Sequence, residues 1–333
     1  MAGGVLPLRK LQLGQETTAG TAVAADFIWR GKASTIEDRF QPIFVDEQIG
    51  YLSGTDRTYV PFVEAALSME ATEATFEQLP HILEAGVKTA TPVQDGAGTD
   101  YIYTYAFPTT AKNTIKTYTI EGGDDQQEEE FAHAFVEKFV ISGKGKEALM
   151  MSADWLGRQV APSTFTALSA PTVETILFQK GKLYIDAIGG TIGTTQVTST
   201  LLGMDLSITT GWHTKYTADG NLYFTYLDCT MPEVLLNMTW VHNATAVTEK
   251  ANWRAQTARL VQVKFEGTAV ATPGTTYSVK TLIGNLAGKW DRFEKIGEQD
   301  GNDIVNGIFR ARYNSTASLF ASILVINELS ALP

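Results

Sequence analysis

Apolar and polar residues alternate over short stretches along most of this chain, with the period of half-buried β-strands. Tyr101, Tyr103, Tyr105 and Phe107 fall on one face of such a stretch, Met204, Leu206 and Ile208 on one face of another, and Leu260–Phe265 repeats the pattern. Shorter apolar runs at Phe27-Ile28-Trp29, Lys182–Asp186, Asn221–Asp228, Val234–Trp240, Tyr277–Ile283, Ile304–Tyr313 and Leu319–Ile326 predict further strands. Pro61 limits the run Thr58–Val63 to a sheet edge or entry. Phe131–Ser142, a Gly143–Lys146 turn and Leu149–Trp155 read as a hairpin. Helical spacing occurs twice. Phe76, Leu79, Ile82, Leu83 and Val87 predict a helix over 75–87, with Thr75 and Gln78 as a capping box and Pro80 moving the start toward Leu79. A second, short helix is predicted over 249–256.

The stretches between these elements suggest an organisation. Residues 1–25 are rich in Gly, Ala and Thr, show little periodicity, and read as an extended arm. Residues 31–57 form a long polar excursion with Gly50 and Gly54 at turns, a candidate β-hairpin reaching beyond its own domain. The Ser, Thr, Ala and Pro of 161–171 read as a linker, so the domains are set at 26–162 and 163–333. The two halves share an order: a helix, a strand ending Glu121-Gly122 or Glu266-Gly267, then Lys138–Gly143 or Lys280–Asn285. That order suggests a duplication.

Composition narrows the chemistry. The formal charge is −11, with 37 Asp and Glu against 26 Lys and Arg. This disfavours sequence-independent gripping of nucleic acid, which needs basic residues on phosphates, and suits a surface past which nucleic acid slides. A lone cysteine, Cys229, allows no internal disulfide and reads as a small buried hydrophobe. The first ten residues have no export signal and no segment reaches a membrane span, which predicts a protein made in the cytoplasm and used there or carried out in a particle. The Asn-x-Thr triplets at 237, 243 and 314 are then chance matches.

No catalytic constellation closes. His81, His133, His213 and His242 lack metal-ligand spacing. Gly284–Trp290 imitates a phosphate loop with one residue too few and a Trp where magnesium needs a hydroxyl, and reads as a turn. Gly189–Gly193 lacks the helix a dinucleotide site requires. The acidic loop Glu121, Asp124, Asp125, Glu128, Glu129 and Glu130 lacks EF-hand spacing and reads as solvated or as a charged rim. No cofactor is implied.

Gly14, Glu16, Thr17, Gly20 and Thr21 form a Gly-x-Glu-Thr-x-x-Gly-Thr opening. With the excursion, the helix ending Leu83-Glu84-Ala85-Gly86, the stretches Thr117–Gly123 and Val136–Gly157, the strand Tyr184-Ile185-Asp186 and the end Gly301–Val305, it resembles the tail tube proteins of long-tailed bacteriophages over nearly the whole chain. The resemblance implies a mainly β fold with two sandwich- or barrel-like domains, each flanked by a short helix, plus the arm and long loop. It implies a virion protein with no catalytic residues. Such a protein forms homo-oligomeric rings, trimeric with pseudo-sixfold symmetry if the halves are duplicated and hexameric otherwise. The rings stack into a tube that passes DNA and contacts tape measure and tail terminator proteins. On this reading the Gly14–Thr21 arm is a stacking element and the acidic loop lines the lumen or a ring contact. The rival readings are a β-rich carbohydrate- or receptor-binding module and a hydrolase with an unrecognised carboxylate pair.

Overall fold

The computed structural model describes residues 3–333 and is mainly β. The first half carries β1 (Lys10–Gln15), β2 (Phe27–Ile28), β3 (Glu37–Phe40), β4 (Ile43–Phe44), β5 (Thr58–Tyr59), β6 (Val63–Glu73), α1 (Leu79–Gly86), β7 (Val93–Gln94), β8 (Tyr101–Ala106), β9 (Tyr118–Gly123), β10 (Glu128–Lys144), β11 (Met150–Gly157) and β12 (Val160–Pro162). The second half carries β13 (Gly181–Ala187), β14 (Gln196–Val197), β15 (Leu201–Thr209), β16 (Trp212–Lys215), β17 (Tyr226–Cys229), β18 (Glu233–Val241), α2 (Ala244–Arg254), β19 (Arg259–Ala269), β20 (Val279–Phe293), β21 (Gly297–Gln299), β22 (Asn302–Ala311) and β23 (Ala321–Asn327).

The two halves share one order of paired strands. In the first half β1 pairs β2 and β9, β9 pairs β10, β10 pairs β11 and β12, and β6 pairs β11 and β3. In the second, β13 pairs β14 and β19, β19 pairs β20, β20 pairs β22 and β23, and β18 pairs β22 and β15. The hairpin β4–β5 interrupts β3 and β6 as β16–β17 interrupts β15 and β18. Only β7–β8 and β21 are additions. The register agrees as well. Val136 faces Trp155 just before a bulge in β10, and Trp290 faces Phe309 just before a bulge in β20. A bulge bends its strand, and each of these long strands serves two sheets.

The duplication expected from the sequence is therefore real in topology, but the residues proposed to match do not. Lys138 corresponds to Arg292 in the pairing, not to Lys280, and Glu121 corresponds to Gln262, not to Glu266. Apolar alternation repeats every two residues, so similar strands can be aligned out of register.

The largest sheet runs β20–β22–β18–β15–β10–β11–β6–β3, using the C-terminal halves of β10 and β20. Four strands of the second half meet four of the first at β15–β10, where Lys138–Lys144 pair with Thr209–Gly203. The N-terminal halves belong to two smaller sheets, β2–β1–β9–β10–β12 and β14–β13–β19–β20–β23–β8–β7. One apolar cluster, including Leu13, Trp155, Leu206, Trp240, Phe265 and Phe309, fills the space between the sheets and spans both halves. The halves are thus repeats around a shared core.

Four local expectations change. Residues 10–15 are a core strand, with Leu11 and Leu13 at 1% and 0% exposure. Residues 284–290 lie inside β20 and make no turn. Residues 163–171, read as a linker, are held against the sheet: Glu128 accepts from the Phe165 N–H at 2.8 Å, and Glu121 accepts from the Thr166 N–H at 2.8 Å. α1 starts at Leu79, with Thr75 Oγ1 accepting from the Gln78 N–H. α2 starts at Ala244, earlier than expected, capped by Asn243, whose side chain accepts from the Ala246 N–H.

Candidate functional site

The feature of this fold that faces outward with unfinished chemistry is the eight-stranded sheet. Its inner face is apolar. Its open face presents Lys138, Ser142, Asp154, Ser207, Asn237 and Asn306 on successive strands, none of them fully buried. Charges of both signs alternate there: Arg310 pairs with Glu233 and with Asp291, and Arg39 donates to Glu64 at 2.8 Å. A depression of about 560 Å³ is an open groove on this face lined by Ser142, Lys144, Asp205, Asn237, Arg292 and Asn306, among others.

The sheet ends in two free edges. No described strand pairs with the outer side of β3, and none pairs with β20 beyond Gly288 on the side where β19 leaves it, although the Asp291 carbonyl of β20 accepts from the Trp253 indole N–H at 3.0 Å. The corresponding pair of edges, β15 and the C-terminal half of β10, is joined inside the chain. Unpaired N–H and C=O groups along a strand edge are a template for another strand.

The hairpins differ in the same way. The second-half hairpin is seated on the first half, where Trp212 and Phe224 pack with Phe135, Leu227 and Cys229 lie against this group, and Leu156 and Ile115 flank it. Cys229 is thus partly buried, and burial raises its thiol pKa. Arg158 Nε donates to the Phe224 carbonyl at 3.1 Å, and its guanidinium sits 4.9 Å from the Tyr223 ring centre. The Val63 N–H donates to the Leu222 carbonyl, and the Tyr216 hydroxyl to Glu64. The first-half hairpin has no such seat: Ile43, Phe44, Ile49, Tyr51, Leu52 and Tyr59 are all exposed.

Of the residues expected to form a stacking arm, Gly14, Glu16 and Gly20 have roles inside the fold, and Thr17 and Thr21 stay exposed. Glu16 is buried and accepts from the Gly20 N–H (2.6 Å), the Thr117 hydroxyl (2.6 Å), the Thr119 hydroxyl (3.2 Å) and the His133 N–H (2.7 Å). It braces the irregular point of β10, where His133 has φ 58°. Gly20 has φ 77°, and a Cβ there would meet the Arg158 guanidinium, so the glycine is required. Gly14 lies so close to the Ala24 carbonyl that a side chain is excluded. Thr17 and Thr21 are exposed beside this turn.

The acidic loop is also mostly structural. It caps the β9–β10 hairpin in a smaller sheet, away from the eight-stranded one. Glu121 is buried and accepts from the Ala25 and Thr166 N–H groups. Asp124 accepts from the Gln126 and Gln127 N–H groups, which lowers its pKa. Asp125 accepts from the Val5 N–H, Glu128 from the Phe165 N–H and Glu130 from the Ser163 hydroxyl. Glu129 binds the Gln127 amide. Glu121, Asp124, Asp125 and Glu128 cap backbone N–H groups, whereas Glu129 and Glu130 bind side-chain groups.

No family model matches the chain, and no curated protein matches its sequence.

Among the described residues, no group of three His, Cys, Asp or Glu side chains could hold a metal. His81 is buried with its Nδ1 3.3 Å from the Tyr118 hydroxyl, and burial lowers its pKa to about 3. His133 is lowered to about 4 by burial and by the Arg158 charge. No described helix is long and apolar enough to cross a membrane. Sequence reasoning missed the free edges because an edge is defined by what does not pair with it, and only the pairing of strands distant in the chain reveals that.

Proposed function

We propose that this chain is the subunit of a self-assembling hollow tube, the tail tube of a bacteriophage, and acts structurally without catalysing a reaction. One observation carries the reading. The chain already contains one joint between two copies of its own repeat, β15 against β10, and it ends in the two strands that would make the same joint again. Repeating one heterologous joint generates a closed ring when the rotation closes. With two repeats per chain, three chains supply the six repeats that the family resemblance implies.

In such a ring the eight-stranded sheets join edge to edge, and their polar open faces line the channel. That face mixes Lys138, Lys144 and Arg292 with Asp154, Asp205 and Glu294. Interleaved carboxylates keep phosphates from binding the basic residues in series, which favours passage of DNA over retention. This channel is polar with mixed charge; the strongly acidic lumen expected from the 121–130 loop has no counterpart on this face. Stacking of rings, passage of DNA, contact with tape measure and terminator proteins, and residence in the virion follow from the same reading.

Electron microscopy of the purified chain tests it. Rings or tubes with a central channel are the expected result; discrete single particles at every concentration would overturn the reading.

A further inference from the structure

Resting on the ring reading, we infer that the exposed hairpin of the first repeat, residues 41–62, docks on the second repeat of a neighbouring copy at Lys289, Arg310 and Arg312. The chain shows this contact once already, in its own interior. Phe135 faces Leu156 one pair before the bulge of β10, and Arg158 follows two residues after Leu156. Lys289 faces Arg310 one pair before the bulge of β20, and Arg312 follows two residues after Arg310. Arg312 therefore occupies the place of Arg158, the residue that holds the second-repeat hairpin through the Phe224 carbonyl. In the second repeat that place carries no hairpin, and Lys289 and Arg312 are exposed.

The two seats have different chemistry, and so do the two hairpins. The occupied seat is apolar at Phe135 and Leu156 and takes Trp212, Phe224 and Leu227. The open seat replaces those two apolar residues with Lys289 and Arg310; the Arg310 guanidinium is already held by Glu233 and Asp291, so the uncompensated positive charges of the seat are Lys289 and Arg312. The hairpin without a seat carries Asp46, Glu47 and Asp56 against one basic residue, Arg57. Its exposed Phe44, Tyr51 and Leu52 supply apolar area that covers the stems of the seat's long basic side chains. An acidic hairpin thus fits the basic seat, and a mostly neutral one fills the apolar seat. The difference also keeps each hairpin from the wrong seat, since swapping them would set uncompensated charges against apolar side chains.

Two exposed alterations test the contact. In the first, Lys289→Glu and Arg312→Glu reverse the seat. In the second, residues 43–59 are replaced by a Gly-Ser linker, which removes only hydrogen bonds internal to the hairpin. Each variant is expected to unfold at the wild-type temperature but to sediment as a monomer under conditions where the wild type assembles. Mixed together, they are expected to give a 1:1 heterodimer that grows no further, because the seat variant still has a hairpin and the hairpin-less variant still has a seat. Assembly of either variant alone, or a mixture that stays monomeric, would overturn the proposal. A wild type that is itself monomeric at every concentration would remove the ring reading and this contact together, and is distinguished by needing no variant.

Discussion

The two repeats share a fold but not a chemistry, and the glutamate at the middle of each helix shows why. Glu84 in α1 and Glu249 in α2 lie at the same distance from their N-caps, and both are buried. Glu249 is fully partnered: Arg259 donates from Nη2 at 2.9 Å and Nε at 3.2 Å, and the Trp290 indole donates at 2.8 Å. In the first repeat the positions of Arg259 and Trp290 hold Tyr118 and Val136. Glu84 is left with the Ala90 N–H at 3.4 Å, and burial pushes its pKa up to about 7. The site of Arg259 is filled by an aromatic group that joins His81, Phe27 and Trp155 instead. One repeat anchors its helix by an ion pair, the other by ring packing. A duplicated fold can keep its topology while each copy solves the same burial problem with different side chains.

The sharpest test of that comparison is removal of the anchored glutamate. Glu249→Ala leaves Arg259, whose side chain is 17% exposed, without its counter-ion. The expected loss is about 3–5 kcal/mol of unfolding free energy, read by chemical denaturation, because an unpaired buried charge remains. A loss below about 1 kcal/mol would show that the ion pair does not anchor the helix.

The aromatic anchor should be acid-sensitive. The folded pKa of His81, about 3, lies below its ordinary value of 6.5, so its contribution is complete above pH 6.5 and is lost as pH falls toward 3. At roughly 1.4 kcal/mol per pKa unit, the loss from this group reaches about 3 kcal/mol by pH 4. His81→Phe should flatten that part of the stability profile between pH 7 and 4; an unchanged acid limb would contradict the assignment.

Glu84 should behave in the opposite sense. Its raised pKa means that its neutral form suits the fold, so its contribution is complete below pH 4.5 and falls away as pH rises through 7. Glu84→Gln should therefore gain up to about 2 kcal/mol at pH 8 and nothing at pH 4. Equal effects at both values would break the contrast with Glu249.

The smallest effect separates the two equivalent arginines. Arg158→Ala removes two hydrogen bonds, to the Phe224 and Gly20 carbonyls, and a ring contact inside the chain, and should cost about 1–2 kcal/mol. Arg312→Ala touches none of these and should stay within about 0.5 kcal/mol of wild type in the same measurement. Its effect is expected in assembly alone.

Much of this was legible in the sequence where one residue's neighbours in the chain decide its fate. The alternation of Tyr103 and Tyr105, or of Leu206 and Ile208, gave buried strand faces, and the Thr75–Gln78 pair marked the approach to α1. Elsewhere distant residues decided. Leu11 and Leu13 are core because β9 pairs with them across more than 100 residues, so a Gly- and Thr-rich neighbourhood looked like a free arm. Glu16 and Glu121 resembled surface acids because their partners, the backbone N–H groups of His133, Gly20, Ala25 and Thr166, carry no sequence signature. The repeat was visible as an order of elements and invisible as residues, since the pairing register, not side-chain identity, is what the copies share.

The central claim is that two repeats in one chain close a ring with copies of themselves. Native mass measurement of the assembled wild-type chain tests it most directly. A chain of 36.3 kDa should give a smallest closed species of three copies, and larger species in whole multiples of that ring. A smallest closed species of six copies, or a monomer at all concentrations, would contradict it.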